Sequence, residues 1–171
     1  MGKAALGQYM TPPNIAAFMA SLFPKTSGEF HLLDAGAGEG SLTCAFFDAL
    51  RNGDRPFPSG EASLFEFDAT MVRKLEENTA LALGTLPVKR YVYRTDFIEH
   101  AAMLILQKQR PFTHAILNPP YKKISSSSLH RAFLRDVGIE TVNLYTAFVA
   151  LAVALLRPGG TLVAIIPRSF C

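Results

Sequence analysis

The chain has 171 residues, of which 49% are hydrophobic and 18% are charged, and its net charge is +3. A chain of this size can bury one sizeable core, so a single domain is favoured over two. Its longest apolar run, 144–156, is shorter than the roughly 20 residues that span a membrane. The sequence also has no recognisable secretory signal, so it argues against a membrane or secreted protein and favours a cytoplasmic one.

The sequence gives no support for disulfide or metal chemistry. The two cysteines, Cys44 and Cys171, have no CxxC spacing, and the four histidines are not clustered. We therefore expect neither a disulfide framework nor a zinc site.

Apolar runs alternate with helical patterns along the chain, and this alternation predicts an α/β fold. The expected architecture is a doubly wound, mainly parallel sheet with helices on both faces. The first helix should begin with Thr11 as its N-cap and Pro12 at its first position. In chain order, the predicted strands are 30–34, 62–67, 88–94, 112–117 and 161–166, and the helices between them are 41–50, 69–83, one after 97, and 142–156.

Polar residues stand at the ends of four of these strands, namely Asp34, Glu66, Asp96 and Asn118. Ligands of doubly wound sheets bind beyond the carboxyl ends of the strands, at the point where the strand order reverses. We therefore expect these four side chains to converge on one crevice.

A glycine-rich turn, 34–40, joins the first strand to the next helix. Gly36 and Gly38 allow the backbone to approach a ligand closely there. The acidic side chains of the turn, Asp34 and Glu39, would repel the pyrophosphate of a dinucleotide but attract an aminoacyl ammonium group. The turn therefore favours S-adenosylmethionine over NAD as the cofactor.

Two further acidic residues fit the same cofactor. Glu66 can accept hydrogen bonds from both ribose hydroxyls, and Phe67 beside it offers a face for the cofactor adenine. Asp96 can accept from the amino group of that adenine, and it is equally suited to be a helix N-cap.

The most informative tetrapeptide follows the fourth strand and reads Asn118, Pro119, Pro120 and Tyr121. Its prolines fix the backbone and remove two N–H donors, so that carbonyl oxygens and the Asn118 amide oxygen can face one point as acceptors. Acceptors at that point would shift electron density onto the nitrogen of a planar amine and make it a better nucleophile. Tyr121 supplies an aromatic face for stacking, as a base swung out of a duplex requires.

Positive charge is concentrated in 121–136, which contains four of the basic residues and one acidic residue. The basic residues are Lys122, Lys123, Arg131 and Arg135. They form either a patch that contacts DNA phosphates or an ordinary solvated loop and helix face.

Taken together, these residues resemble class I S-adenosylmethionine-dependent amino-methyltransferases, and within them the gamma-type adenine-N6 DNA methyltransferases of restriction-modification systems. That family has a Q-x-x-T-P-like segment before the glycine turn, and 7–12 looks like it. The resemblance implies that Thr11 helps to hold the methionine carboxylate, that Phe97 borders the cofactor adenine and that Phe148 lies near the cofactor. It also implies that 118–121 is the methyl-transfer motif and that double-stranded DNA is the substrate.

The family's sheet continues into a further hairpin, and a target recognition domain follows it. Neither part is recognisable in 1–171. We therefore expect an incomplete catalytic domain that lacks the last strands, either a fragment of a longer protein or a chain completed by a partner. An unpaired fifth strand at the sheet edge would fit this expectation.

Three other functions stay open. Methyltransferases that act on glutamine side-chain amides share the Asn-Pro-Pro-Tyr loop, although the segment 8–12 directly before the first strand favours the DNA group. An RNA adenine methyltransferase is a second alternative. The non-enzymatic alternative is a degenerate fragment that binds the cofactor without transferring its methyl group.

Overall fold

The computed structural model describes residues 10–24, 28–53 and 59–168. The strands of this part are β1 (Phe30–Ala35), β2 (Gly60–Phe65), β3 (Val88–Tyr93), β4 (Phe112–Leu117) and β5 (Leu156–Ala164). They form a five-stranded sheet in the order β3-β2-β1-β4-β5, in which every neighbouring pair is parallel. The predicted doubly wound α/β fold is therefore confirmed.

Helices cover both faces of the sheet, as expected. They are α1 (Pro13–Ser21), α2 (Ser41–Arg51), α3 (Ala69–Leu83), α4 (Phe97–Leu106), α5 (Leu129–Asp136) and α6 (Leu144–Leu155). The first three pack on one face, in a core that contains Leu32, and the last three pack on the other, in a core that contains Leu33. Within the described ranges, no helix is long and apolar enough to cross a membrane.

Strand β1 lies at the centre of the sheet, and its neighbouring side chains Leu32 and Leu33 are both fully buried. Successive side chains of a strand point to opposite faces, so both faces of β1 must be covered. This explains why two apolar residues follow each other at 32 and 33 instead of alternating with polar ones.

The prediction for the start of α1 is wrong by one residue. Pro12 is the N-cap and Pro13 is the first helical residue, with no side-chain hydrogen bond to the cap. The Thr11 hydroxyl does not cap the helix, because it accepts a hydrogen bond from the amide of Asn118 instead.

Helix α5 is an element that the sequence pattern does not predict. It has only eight residues, and among them only Leu134 is buried, so the apolar face that it presents to the core is short. The flanking residues Ser128 and Gly138, the latter with φ of 74°, are usual at helix ends and are the signal that could have revealed it.

Helix α6 ends at Leu155, as the following Arg-Pro-Gly-Gly sequence at 157–160 predicts. Strand β5 then begins at Leu156, five residues earlier than expected. Its pairing with β4 is irregular there, because Phe112 pairs with Leu156 but His114 pairs with Thr161. The insertion places Gly159 in the left-handed region, with φ of 80°.

Candidate active site

The strand order reverses between β1 and β4, so a ligand crevice is expected there. Asp34 is near the carboxyl end of β1, and Asn118 directly follows β4. Both residues therefore lie at the end of the sheet where doubly wound folds bind their ligands.

The glycine turn is fixed by backbone contacts to the neighbouring strand. Gly36 and Gly38 have φ of 74° and 57°, a region that glycine adopts without steric cost. The N–H groups of Gly36 and Ala37 both donate to the Phe65 carbonyl oxygen at 2.9 Å. A Cβ atom added at Gly38 would meet no heavy atom within 4 Å, so the turn presents open space on that side.

Glu66 braces this turn. Its side chain is buried, its Oε2 accepts from the Gly38 N–H at 2.9 Å, and its Oε1 accepts from the Asp68 N–H at 2.8 Å. Sequence reasoning missed this structural role, and the predicted contact of Glu66 with ribose hydroxyls stays a prediction. Phe67 beside it is 72% exposed, as a residue that offers a ring face to a ligand must be.

Asp34 carries an unsatisfied buried oxygen. Its Oδ2 accepts from the Thr43 hydroxyl at 2.6 Å, but its Oδ1 has no hydrogen-bond partner in the described part of the chain. Burial raises the pKa of the Asp34 carboxyl to about 7, although the Thr43 hydrogen bond opposes the rise and the charge of Glu66 adds to it. A buried acceptor without a donor is rare in native proteins, and an incoming cation would satisfy it.

Asp96 is the N-cap of α4, the second of the two roles considered above. Its Oδ1 accepts from the N–H groups of Ile98 at 2.8 Å and Glu99 at 3.3 Å. Its Oδ2 lies 2.7 Å from Nε2 of His130 on α5. Contact of Asp96 with the cofactor adenine stays a prediction, and His130 is a neighbour that no sequence signal indicated.

Phe148 lies against the glycine turn, whereas Phe97 lies in the core behind it. A Cβ atom added at Gly36 would be 3.4 Å from Cε1 of Phe148. Phe97 is buried, and its ring centre is 5.1 Å from that of Phe148. Phe148 therefore supports the turn, and contact of the buried Phe97 with the cofactor adenine stays a prediction.

Residues 118–121, the predicted catalytic loop, are held by a chain of side-chain hydrogen bonds. The Asn118 amide donates from Nδ2 to the buried Thr11 hydroxyl at 3.0 Å. The Tyr121 hydroxyl donates to Oδ1 of Asn118 at 2.9 Å and also lies 3.3 Å from the carbonyl oxygen of Ile165. In this arrangement Nδ2 of Asn118 is the donor and Oδ1 is the acceptor.

The catalytic loop and the glycine turn are adjacent. Pro119 is buried, and Cδ of Pro120 is 4.0 Å from the position of a Cβ added at Gly36. Beyond the loop, the chain pairs antiparallel with the segment before α6, where the Leu144 N–H donates to the Lys122 carbonyl oxygen at 2.8 Å. The loop is thereby fixed to the start of the helix that carries Phe148.

The four basic residues divide into two pairs. Arg131 is 16% exposed and donates to the Thr141 carbonyl oxygen, and its guanidinium lies 3.5 Å from the Glu140 carboxylate. Arg135 lies 3.7 Å from the same carboxylate. Both arginines therefore brace the turn after α5, whereas Lys122 and Lys123, which directly follow Tyr121, have no such partner in the described ranges.

The described residues fit S-adenosylmethionine. The buried Oδ1 of Asp34 is an acceptor suited to an ammonium group, the space around Gly38 admits a ligand close to the backbone, and Phe67 provides an exposed ring. A pyrophosphate would not suit this site, because the carboxylates at this edge of the sheet would repel it.

The fold is similar to that of class I S-adenosylmethionine-dependent methyltransferases. The chain is similar to the methyltransferase subunit of a type I restriction-modification system from Streptococcus thermophilus, with a TM-score of 0.70 and 22% identity over 93% of this chain and 34% of that one. It is also similar to a protein from Listeria monocytogenes described as belonging to this class, with a TM-score of 0.65 and 16% identity over 96% and 48% of the two chains. At these identities the likeness shows the fold.

Sequence comparison narrows the class. The family model of the Eco57I restriction-modification methylase matches residues 61–171. The chain is 48% identical to the type II methyltransferase M.BsuBI of Bacillus subtilis and 41% identical to M.PstI of Providencia stuartii, in each case over 99% of its own length. The chain belongs to the Eco57I restriction-modification methylase family. It covers 35% and 34% of the length of these two relatives.

Proposed function

We propose that this protein binds S-adenosylmethionine and transfers its methyl group to the exocyclic N6 amine of adenine in DNA. The observation that carries the proposal is the contact between the two loops: Pro120 approaches Gly36, and Asn118 is oriented beside them. An acceptor for an amine and a cofactor crevice are therefore neighbours.

In this proposal the cofactor is held along the carboxyl ends of β1, β2 and β3. Asp34 receives the ammonium group at its unsatisfied Oδ1, and Thr11 helps to hold the carboxylate. Glu66 and Phe67 contact the ribose and one face of the adenine. Phe148 packs against the glycine turn, and Asp96 accepts a hydrogen bond from the adenine amine.

Bound S-adenosylmethionine would supply an electrophilic methyl group. The Asn118 oxygen accepts a hydrogen bond from the target amine, which opposes the delocalisation of the nitrogen lone pair into the ring. Transfer would form a carbon–nitrogen bond at the expense of the carbon–sulfur bond of the cofactor, whose sulfur would keep the bonding pair, and the proton released by the amine would pass to solvent. Asn118 only orients and polarises the amine, because an amide oxygen at neutral pH is not a base.

Support for DNA as the substrate comes from the family and from the region beyond the catalytic loop. Relatives at 48% and 41% identity are named type II methyltransferases, and the chain belongs to a restriction-modification methylase family. Tyr121 offers a ring on which a flipped adenine can stack. Lys122 and Lys123 are the side chains best placed to contact the adjacent phosphates.

The test is a transfer assay with tritiated S-adenosylmethionine and separate DNA, RNA and protein acceptors. We expect the label in DNA, and nucleoside mass spectrometry should identify it as N6-methyladenine. Label in N4-methylcytosine would contradict the adenine assignment, and label only in RNA or in glutamine side chains would replace DNA by one of the alternative substrates. Asn118→Ala is the matched control, and its loss of transfer would tie the label to this site.

If no acceptor is labelled, calorimetry with S-adenosylhomocysteine separates the remaining possibilities. Heat of binding without transfer would support the degenerate cofactor-binding fragment. No binding at all would contradict the cofactor assignment as well.

A further inference from the structure

A histidine on α5 contacts the carboxylate that caps α4. Nε2 of His130 lies 2.7 Å from Oδ2 of Asp96, and the two side chains are 34% and 27% exposed. A carboxylate only accepts hydrogen bonds, so Nε2 of His130 must carry the hydrogen. The contact joins the segment that follows the catalytic loop to the carboxyl end of β3.

The hydrogen bonds of Asp96 fix both oxygens of its carboxylate. Oδ1 accepts two bonds, from the N–H groups of Ile98 and Glu99, and Oδ2 accepts from His130. A carboxylate oxygen has two acceptor positions. In the part of the chain that the structure describes, the second position of Oδ2 has no partner, so one donor from a ligand can still be accepted.

The charges of the two side chains favour the contact between His130 and Asp96. Burial alone would raise the pKa of Asp96, but the hydrogen bond and charge of His130, with the two backbone N–H groups, hold that pKa below its ordinary value. The bond to Asp96 raises the pKa of His130 against the opposing effect of burial, and the charges of Asp96 and Glu99 add to the rise. The pH range in which both side chains are charged is therefore wider than it would be with their ordinary pKa values.

We propose that His130 is a positioning residue for the cofactor: it holds Oδ2 of Asp96 so that its second acceptor position faces the adenine amine. The inference rests on the adenine contact assigned to Asp96 in the proposed function. It adds that α5, the helix after the catalytic loop, takes part in recognising the adenine end of the cofactor.

The test compares two ligands that differ in the adenine amine. S-Adenosylhomocysteine has the adenine amine, whereas S-inosylhomocysteine has a carbonyl oxygen there, which cannot donate to Asp96. Calorimetry on the purified protein should give at least about tenfold tighter binding of the adenosyl form, the effect expected for a hydrogen bond to a charged group. His130→Ala should lower this preference several-fold, mainly by weakening the adenosyl form.

His130→Gln is the matched control, because its side-chain amide retains an N–H donor. It should restore most of the preference. His31→Gln, at the opposite end of β1 from Asp34, should leave the preference unchanged. If His130→Ala does not fold well enough to measure, His130→Phe removes the donor while keeping a ring of similar size.

The possible results distinguish the adenine contact of Asp96 from the positioning role of His130. A wild-type protein without preference for the adenosyl form contradicts the adenine contact of Asp96 itself. A wild-type preference that survives in His130→Ala, or an equal loss of affinity for both ligands, overturns only the role of His130, because a purely structural residue affects both ligands alike. Tighter adenosyl binding in His130→Ala would show that His130 competes with the cofactor, and it would also overturn the inference.

Discussion

The glycine turn and the catalytic loop face the same crevice but are held in place by different means. Backbone groups fix the turn: two N–H groups bond to the Phe65 carbonyl oxygen, and Gly38 bonds to the buried Glu66. Side chains fix the catalytic loop, through the bonds that join Thr11, Asn118 and Tyr121.

This difference predicts how each region responds to substitution. Backbone contacts depend on φ and ψ, so changes in the turn should act on stability and cofactor binding together. Side-chain contacts are removed one at a time, so changes in the catalytic loop should act on the rate of transfer with little effect on folding.

The largest effect is expected for Asn118→Ala. It removes the acceptor proposed for the target amine and the contacts to Thr11 and Tyr121, so the rate of methyl transfer should fall about 10²-fold or more. Single-turnover kinetics at saturating cofactor measures this directly. Asn118→Asp, which keeps a side-chain oxygen, should lose less, and a variant with near-normal rate would remove Asn118 from the mechanism.

A second prediction concerns the pH dependence of Asp34. The pKa of the Asp34 carboxyl is about 7 in the folded protein and 3.8 ordinarily. Between these pH values the folded chain keeps a proton that the unfolded chain has lost. The unfolding free energy of the unliganded protein should therefore fall as the pH rises from about 4 to 7. Denaturant melts across this range measure the slope, and Asp34→Asn should flatten it.

Cofactor binding should show the opposite trend, because an ammonium group pairs with the ionised carboxylate. Below pH 7 the affinity should weaken by up to about tenfold per pH unit. Asp34→Asn should bind weakly and lose this dependence. Parallel trends of stability and affinity with pH would contradict the ammonium contact.

Gly36→Ala tests the backbone side of the comparison. A residue other than glycine at a φ of 74° costs about 1–3 kcal/mol of stability, and the new Cβ would lie 3.4 Å from Phe148. Thermal melts should show this loss, together with weaker cofactor binding. The control is Gly28→Ala, where the φ is not in the left-handed region and no heavy atom lies within 4 Å of the added Cβ.

Tyr121→Phe should have the smallest effect. It removes the hydroxyl that bonds to Asn118 but keeps the ring for stacking, so the barrier to transfer should rise by only about 0.5–1.5 kcal/mol. Tyr121→Ala should in addition weaken binding of DNA with a mismatched target adenine by about 1–3 kcal/mol. Tyr91→Phe, on β3, is the control, and equal affinities of the Phe and Ala variants for this DNA would argue against stacking.

Much of the fold could be predicted because its signals are local. Buried parallel strands contain apolar runs, and polar residues follow them, so the positions of Asp34, Glu66 and Asn118 at strand ends can be predicted from the sequence. Helix α5 could not be predicted well, since it is only eight residues long and, although these residues are amphipathic, only Leu134 among them is buried.

The residues that hydrogen-bond to the candidate site residues are less predictable than the site residues themselves. Thr43, which bonds to Asp34, and His130, which bonds to Asp96, are nine and 34 positions away in the chain. Such pairs depend on how helices pack across the sheet, and no spacing rule gives them. The sequence likewise did not reveal the partner of Arg131. Arg131 is a candidate DNA contact in the sequence, but its guanidinium donates a hydrogen bond to the Thr141 carbonyl oxygen after α5.

The central claim is that one crevice holds the cofactor between the glycine turn and Asn118. A crystal structure with S-adenosylhomocysteine tests it most directly. We predict the ligand sulfur between Gly36 and Asn118, and the ligand amine within about 3 Å of Oδ1 of Asp34. A ligand bound elsewhere, or an Asn118 side chain turned away from the sulfur, would contradict it.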